Sequence, residues 1–267
     1  MINKSSFGMF LGVFFIAAAI LFSGGTAHNV LAIFVGPNAW TVDSTQPDNS
    51  KCVSPTFLCQ TIQAAVSAAS GGDTVNVLAG TYTEQVTINK NLTLSGAGAA
   101  STTIQAPASL AADAHGFLNI VTIAGSGISV DLSGFTINGP GPSGCNSINT
   151  GIFVSDAANA IIHNNTISNI ADNPFGGCQN GQGIYVGRTA FSTTGTATIT
   201  NNTITGYQKT GIVIDNTGSS ATITGNTVTG VGPTSAIAEN GIQISRGATG
   251  SISNNTVSGN ECTLAVV

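Results

Sequence analysis

From Gly151 onward, apolar and neutral polar residues alternate in short bursts that recur along the chain. Four bursts open on Gly-Ile-x-[Val/Ile]: "GIFV" at 151, "GIYV" at 183, "GIVI" at 211 and "GIQI" at 241. Alternation with period two predicts strands, with Ile184 and Val186 turned inward and Tyr185 outward. Each burst is followed by a turn and then by a second, related one: "AIIHNNTISNI" (160–170), "ATITNNTITGY" (197–207), "ATITGNTVTGV" (221–231) and "GSISNNTVSGN" (250–260). In the second of these Ile199 and Ile204 point inward, with a corner between them. Strand units that repeat at about thirty residues predict a solenoid.

The corner carries a motif that reads in two ways. Asn-Asn-Thr is an acceptor for N-linked sugar at its first asparagine, here Asn164, Asn201 and Asn254. The copy with Gly225 breaks that pattern, and only the second asparagine recurs in all four units: Asn165, Asn202, Asn226 and Asn255. Asparagine tolerates left-handed backbone and bonds to backbone groups around turns. Stacked coil on coil, these four predict a ladder of amide hydrogen bonds inside the solenoid. Upstream, "VDLSGFTINGP" aligns with Phe135 at the ladder position, an aromatic plug where the stack begins. "NLTLSGAG" (91–98) reads as an earlier strand and turn. The count is about seven coils, for a length of about 34 Å at about 4.8 Å per coil.

The ends of the chain read differently. Lys4 precedes the apolar run 7–22, and small residues follow at 23–27. This predicts a signal peptide over 1–27, with cleavage as late as Ala32, and hence a secreted protein; an uncleaved membrane anchor is the alternative. Residues 33–72 form an N-terminal segment. In "TIQAAVSAASGG" Ile62, Ala65, Val66 and Ala69 share one helical face, and Gly71-Gly72 ends the helix, which caps the first coil. Residues 73–267 are the solenoid, whose last strand, "CTLAVV", is uncapped and invites self-association. Export puts the five cysteines in an oxidising compartment. The simplest pairing is Cys52–Cys59 and Cys145–Cys178, with Cys262 left over.

The segment "TIQAAVSAASGGDTVNVLAGTYTEQVTINKNLTLSGAG" (61–98) resembles the N-terminal cap and first coils of secreted right-handed parallel β-helix proteins, pectin methylesterases among them. The Gly-Ile-x-Ile and Asn-x-Ile units are similar to the repeats of the same pectin-lyase-like superfamily. The resemblance implies an all-β, right-handed parallel β-helix with a short N-terminal capping helix. It is weak for activity, since the superfamily holds lyases, hydrolases, esterases, adhesins and inert repeats. Arg188 sits in "YVGRT" without the adjoining Pro-Trp of the methylesterases, and no Asp-Phe-[Ile/Val]-Phe-Gly follows. The Asp-Asp, Gly-His-Gly and Arg-Ile-Lys of polygalacturonases have no closer echo than "AHG" at 114.

Composition narrows the chemistry. Charged residues are 6% of the chain and net charge is −5, so no basic footprint for nucleic acid exists. With so few acids, no coil supplies an evident carboxylate pair for glycoside hydrolysis. Stacking the repeats gathers one patch. Outward positions align Phe153, Tyr185, Val213 and Gln243, while Asp156, Arg188, Asn216 and Arg246 stand two positions past each motif, beside Asp215. Aromatic faces stack on sugar rings, and Arg and Asp bind hydroxyls or carboxylates, so Phe153, Asp156, Tyr185, Arg188, Gln243 and Arg246 are the candidates for binding extracellular polysaccharide. The competing reading makes them ordinary strand and turn residues. If the protein is an enzyme, a polysaccharide lyase using Arg188 or Lys209 is the reading. No cofactor is required. Calcium at Asp215-Asn216 with Asp156 or Asp172, or at "DSTQPDNS" (43–50), is a minor alternative, and no histidine–cysteine spacing suits a metal. His163 reads as a strand surface residue. The sequence leads to a secreted, non-catalytic β-helix, with an enzyme or a self-assembling structural module as the other readings.

Overall fold

The structure, a computed structural model, describes residues 37–263; the signal-peptide segment lies outside them. Three parallel sheets of nine, seven and six strands wrap one core. One coil takes one strand from each sheet in turn. The first runs Asp73–Val77, Gly80–Thr83 and Val86–Ile88, and the sixth runs Ser220–Thr224, Thr227–Thr229 and Asn240–Ser245. Two strands of a seventh coil follow, Thr249–Ser253 and Thr256–Ser258. Register between coils is kept over long columns. Ile104, Ile137, Ile167, Ile204 and Val228 stack in line inside the seven-stranded sheet, all fully buried.

The N-terminal segment holds more strand than its sequence predicts. Ala39–Val42 and Leu58–Cys59 extend the nine-stranded sheet beyond the first coil. Trp40 anchors them: its ring is buried and its Nε1–H donates to Asp73 at 2.9 Å. The helix Ile62–Ala68 covers the open end with Ile62, Ala65 and Val66 buried. Its start is fixed by the Thr61 hydroxyl, which accepts from the Ala64 amide, and by the Glu84 carboxylate, which accepts from the Ile62 and Gln63 amides at 2.9 and 2.8 Å. At the other end Lys90 donates to the Ser67 and Ala69 carbonyls, a cation against the free carbonyls of a helix terminus. The disulfides are Cys52–Cys59 and Cys145–Cys178, and Cys262 is free and exposed.

The corner between the nine- and seven-stranded sheets divides its two asparagines by role. The first residue turns the chain: Asn164, Asn201 and Asn254 have φ 55° and Gly225 has φ 72°. The left-handed geometry that the sequence suggests for the second asparagine therefore belongs to the first, which is why glycine replaces it once. The second residue builds the ladder. The Asn165 amide donates to Asn202 Oδ1 at 3.0 Å, Asn202 to Asn226 Oδ1 at 2.9 Å, and Asn226 to Asn255 Oδ1 at 2.8 Å. Each side-chain NH₂ also reaches a backbone carbonyl of the previous coil: Asn165 to Leu132, Asn202 to Ile162, Asn226 to Ile199 and Asn255 to Ile223. Phe135 begins the stack, fully buried, with its amide on Asn165 Oδ1.

Glycine recurs at the start of the third strands because the chain bends inward there. A Cβ on Gly151 would lie 2.8 Å from the Gly183 carbonyl and 3.0 Å from Ile167. Asn202→Ala leaves the Asn165 amide and the Ile162 carbonyl unpaired in the core, for an expected loss of roughly 2–4 kcal/mol. Asn201→Gly at the exposed neighbouring position should change stability by less than about 0.5 kcal/mol. Denaturant midpoints of the two variants check both values.

Candidate ligand-binding face of the six-stranded sheet

The outer face of the six-stranded sheet differs from the other two because long loops fold over it. Register places Phe153, Tyr185, Val213 and Gln243 in one column, as the repeats predict. The column does not lie open. Phe117 packs on Phe153 and Tyr185 with ring centroids 5.1 and 6.1 Å apart, and Phe191 closes over Phe117 at 5.3 Å. Phe153 is fully buried and Tyr185 is 6% exposed. Phe153 therefore offers no face to a sugar; it belongs to a second, smaller core outside the coil. The sequence hid this because Phe117 and Phe191 come from loops that no repeat aligns.

Asp156 also leaves the expected patch. Its carboxylate meets His115 Nε2 and the Thr193 hydroxyl, each at 2.9 Å, and His115 stacks on Phe191. This arrangement fastens the covering loops to the sheet edge.

The other candidates converge. A cavity of about 440 Å³ is lined by Tyr185, Arg188, Lys209, Gln243 and Arg246, together with Gln182 and Thr210. The chain has six lysines and arginines in all, so half of its cations line this one cavity. Among the described residues no carboxylate lines it. Arg188 leaves its strand where the loop turns, and its guanidinium lies over the rings of Phe117, Phe191 and Tyr185 at 4.1, 4.7 and 5.6 Å. Among the described residues it has no acceptor. Burial lowers its pKa, partly offset by the charge of Asp215.

Beneath the cavity sits Asp215, buried and bound from several sides. It accepts from Arg246 at 2.8 Å, the Tyr185 hydroxyl and the Thr189 amide at 3.1 Å, and the Thr189 hydroxyl at 3.2 Å. Burial raises its pKa, but the donors of Thr189, Tyr185 and Arg246 outweigh it and hold the carboxyl below its usual range. Tyr185 is shifted up, first by burial and then by the Asp215 charge. Lys209 donates to the Ala238 carbonyl at 2.7 Å. Asp172, the other acid considered for calcium, is occupied by the amides of Asn146 and Ser147 and by Gln208.

A polar column borders the aromatic one: Asn119, Thr150, Gln182 and Thr210 lie in register and are buried. Asn119 Oδ1, Thr150 Oγ1, Gln182 Oε1 and, on the far side of the strip, Ser155 Oγ have no protein partner. Buried polar atoms are paired as a rule, and these acceptors on three successive coils depart from it. A smaller cavity of about 130 Å³ adjoins Asn119, Asp113 and Phe117. Asp215 as anchor and the unpaired amides are the features sequence reasoning missed. The alignment of Asp215 with Ser245 marks the anchor position, but the amides gain meaning only once the loops cover them.

No curated protein sequence matches the chain. Among solved structures, a pectin methylesterase in complex with a hexasaccharide is similar at 14% identity over 78% of this chain and 67% of its own, with a TM-score of 0.43. An alginate lyase of the PL6 family is similar at 16% identity over 84% of this chain and 40% of its own, TM-score 0.38. An alginate lyase from Paenibacillus sp. str. FPU-7 is similar at 12% identity over 85% of this chain and 99% of its own, TM-score 0.35. The family model described as "Right handed beta helix region" matches residues 118–267. The repeats, the three parallel sheets and that match together place the chain in the right-handed β-helix family.

Proposed function

We propose that this protein is an exported, non-catalytic carbohydrate-binding β-helix whose cavity at Tyr185, Arg188 and Arg246 takes an acidic polysaccharide. One observation carries the reading: Arg188 is partly desolvated, held over three rings, and has no acceptor among the described residues. Its geometry is fixed before any ligand arrives, so a carboxylate bound there costs little side-chain entropy. Lys209 and Gln243 border the same space. The two disulfides fit an oxidising compartment.

The chemistry of the cavity favours binding over turnover. Hydrolysis calls for two carboxylates facing the substrate, and the lining has none. A lyase calls for a base. The Tyr185 hydroxyl donates to Asp215 and its pKa is shifted up, away from the range a base needs. Lys209 is engaged by the Ala238 carbonyl. The lyase reading, with Arg188 neutralising a carboxylate and Lys209 abstracting a proton, rests on their sharing one cavity and stands as the second reading.

Titration calorimetry should show polygalacturonate or alginate binding and neutral dextran not binding. Arg188→Ala should weaken the acidic ligands by about tenfold or more, the worth of one charge-assisted contact. Equal binding by variant and wild type overturns the assignment. Incubation with pectin or alginate, with and without calcium, should release no unsaturated uronate, and absorbance from such products establishes the lyase instead. The Asp215 anchor predicts a pH dependence. Because its folded pKa is depressed, its contribution is present above the unfolded value of about 4 and is lost as pH falls through the folded one. Thermal midpoints of wild type and Asp215→Asn should therefore differ at neutral pH and converge on acidification below about pH 4.

A further inference from the structure

The outer face of the seven-stranded sheet carries a regular pattern that the cavity does not use. Its first outward column is Thr81, Thr103, Thr136, Thr166, Thr203, Thr227 and Thr256, seven threonines in unbroken register. The second is Thr83, Gln105, Asn138, Ser168, Thr205, Thr229 and Ser258. All fourteen positions are uncharged, and none is aromatic or aliphatic. In the last three coils the pattern continues round the corner onto the nine-stranded sheet. There Thr198, Thr222 and Ser251 align, as do Thr200, Thr224 and Ser253.

Strand propensity alone does not produce this. Threonine, valine, isoleucine and aromatic residues all favour strands. The corresponding outward column of the six-stranded sheet, in the same coils, reads Thr87, Thr122, Phe153, Tyr185, Val213 and Gln243. The middle column of the nine-stranded sheet includes Asp131 and Ile161. Only the seven-stranded sheet selects a hydroxyl beside a methyl at every coil. Those hydroxyls are unspent: among the described residues of the column, Thr136 alone bonds to protein, at the Ala99 carbonyl.

We propose that this face adsorbs to ice. Neighbouring strands lie about 4.8 Å apart and alternate residues about 6.6 Å apart along a strand. The first column therefore forms one edge of a rectangular mesh, a hydroxyl and a methyl at every coil over roughly 29 Å, and the second completes it with threonine at Thr83, Thr205 and Thr229, while Gln105, Asn138 and Ser168 bond to one another. That mesh is close to the oxygen repeat on the prism faces of ice. Threonine is stiff at χ1, so the array is ordered before contact and loses little entropy on docking. Each contact is weak, but contacts held in phase by one rigid scaffold add as in any multivalent surface. Crystalline polysaccharide is the other periodic solid to weigh. Its sugar rings are gripped by aromatic stacking, and this face has no outward aromatic.

The test is growth of a seeded ice crystal in a solution of the purified protein, read as the gap between melting and freezing points and as the crystal's shape. Wild type should open a gap and facet the crystal. Thr203→Lys with Thr227→Lys, both exposed on the fifth and sixth coils of the array, should abolish both effects with an unchanged thermal midpoint. Asn76→Lys, exposed on the nine-stranded sheet away from the array, should retain them. Absence of a gap with folded wild-type protein overturns the proposal, as does equal activity of the double variant. Pull-down on crystalline cellulose or chitin without any effect on ice likewise overturns it. Arg188→Ala should leave ice growth untouched, so failure of the cavity reading and failure of this one are told apart.

Discussion

Everything in this molecule depends on coils staying in register, and from the third coil onward the asparagine ladder is the interaction that enforces it. A parallel sheet fixes neighbours along a strand but leaves the corner between sheets with unpaired backbone groups. Asn165, Asn202, Asn226 and Asn255 satisfy those groups from inside, each accepting from the coil before it and donating to that coil's carbonyl. A slip of one residue would turn every inward isoleucine to solvent and break each amide bond at once. The ladder and the isoleucine stacks thus penalise the same error. Phe135 and the glycines at 151 and 183 are the boundary conditions: one starts the stack and the others let the chain bend into it.

With register fixed, the three outer faces are free to differ, and they do. One sheet is covered by loops and becomes a second small core with a cavity at its edge. Another carries uncharged polar columns, one of them threonine in every coil. So sparse a supply of charge makes its location informative: half of the cations surround a single cavity, and the most buried acid beneath it holds two of the cavity's residues, Tyr185 and Arg246, in place. Asp215 is in this sense a positioning residue. Its hydrogen bonds to Tyr185 and Arg246 keep both groups from moving, while Arg188 is held separately by the rings.

The periodic parts of the chain were legible because a repeat samples the same environment several times. Gly-Ile-x-Ile, the recurring second asparagine and the alternation of isoleucine specify strands, corners and inward faces without reference to anything distant. Which of two adjacent asparagines turns the chain was not legible, since both residues suit a left-handed turn and only the backbone path separates them. The two extra N-terminal strands escaped for a similar reason. They pair with the first coil through Trp40 and Asp73, a contact between segments 33 residues apart.

Local periodicity specifies the coil and the columns that repeat, and the resemblance of the cap and repeat units to known proteins adds its right-handed family. Which of those columns are open and which are covered follows only from the fold around them. Phe153 and Tyr185 share a repeat position, yet the first is sealed and the second borders a cavity. The difference comes from Phe117 and Phe191, contributed by loops of irregular length whose course no repeat records. Where a side chain faces is a property of its strand, but whether that face is open depends on what folds over it.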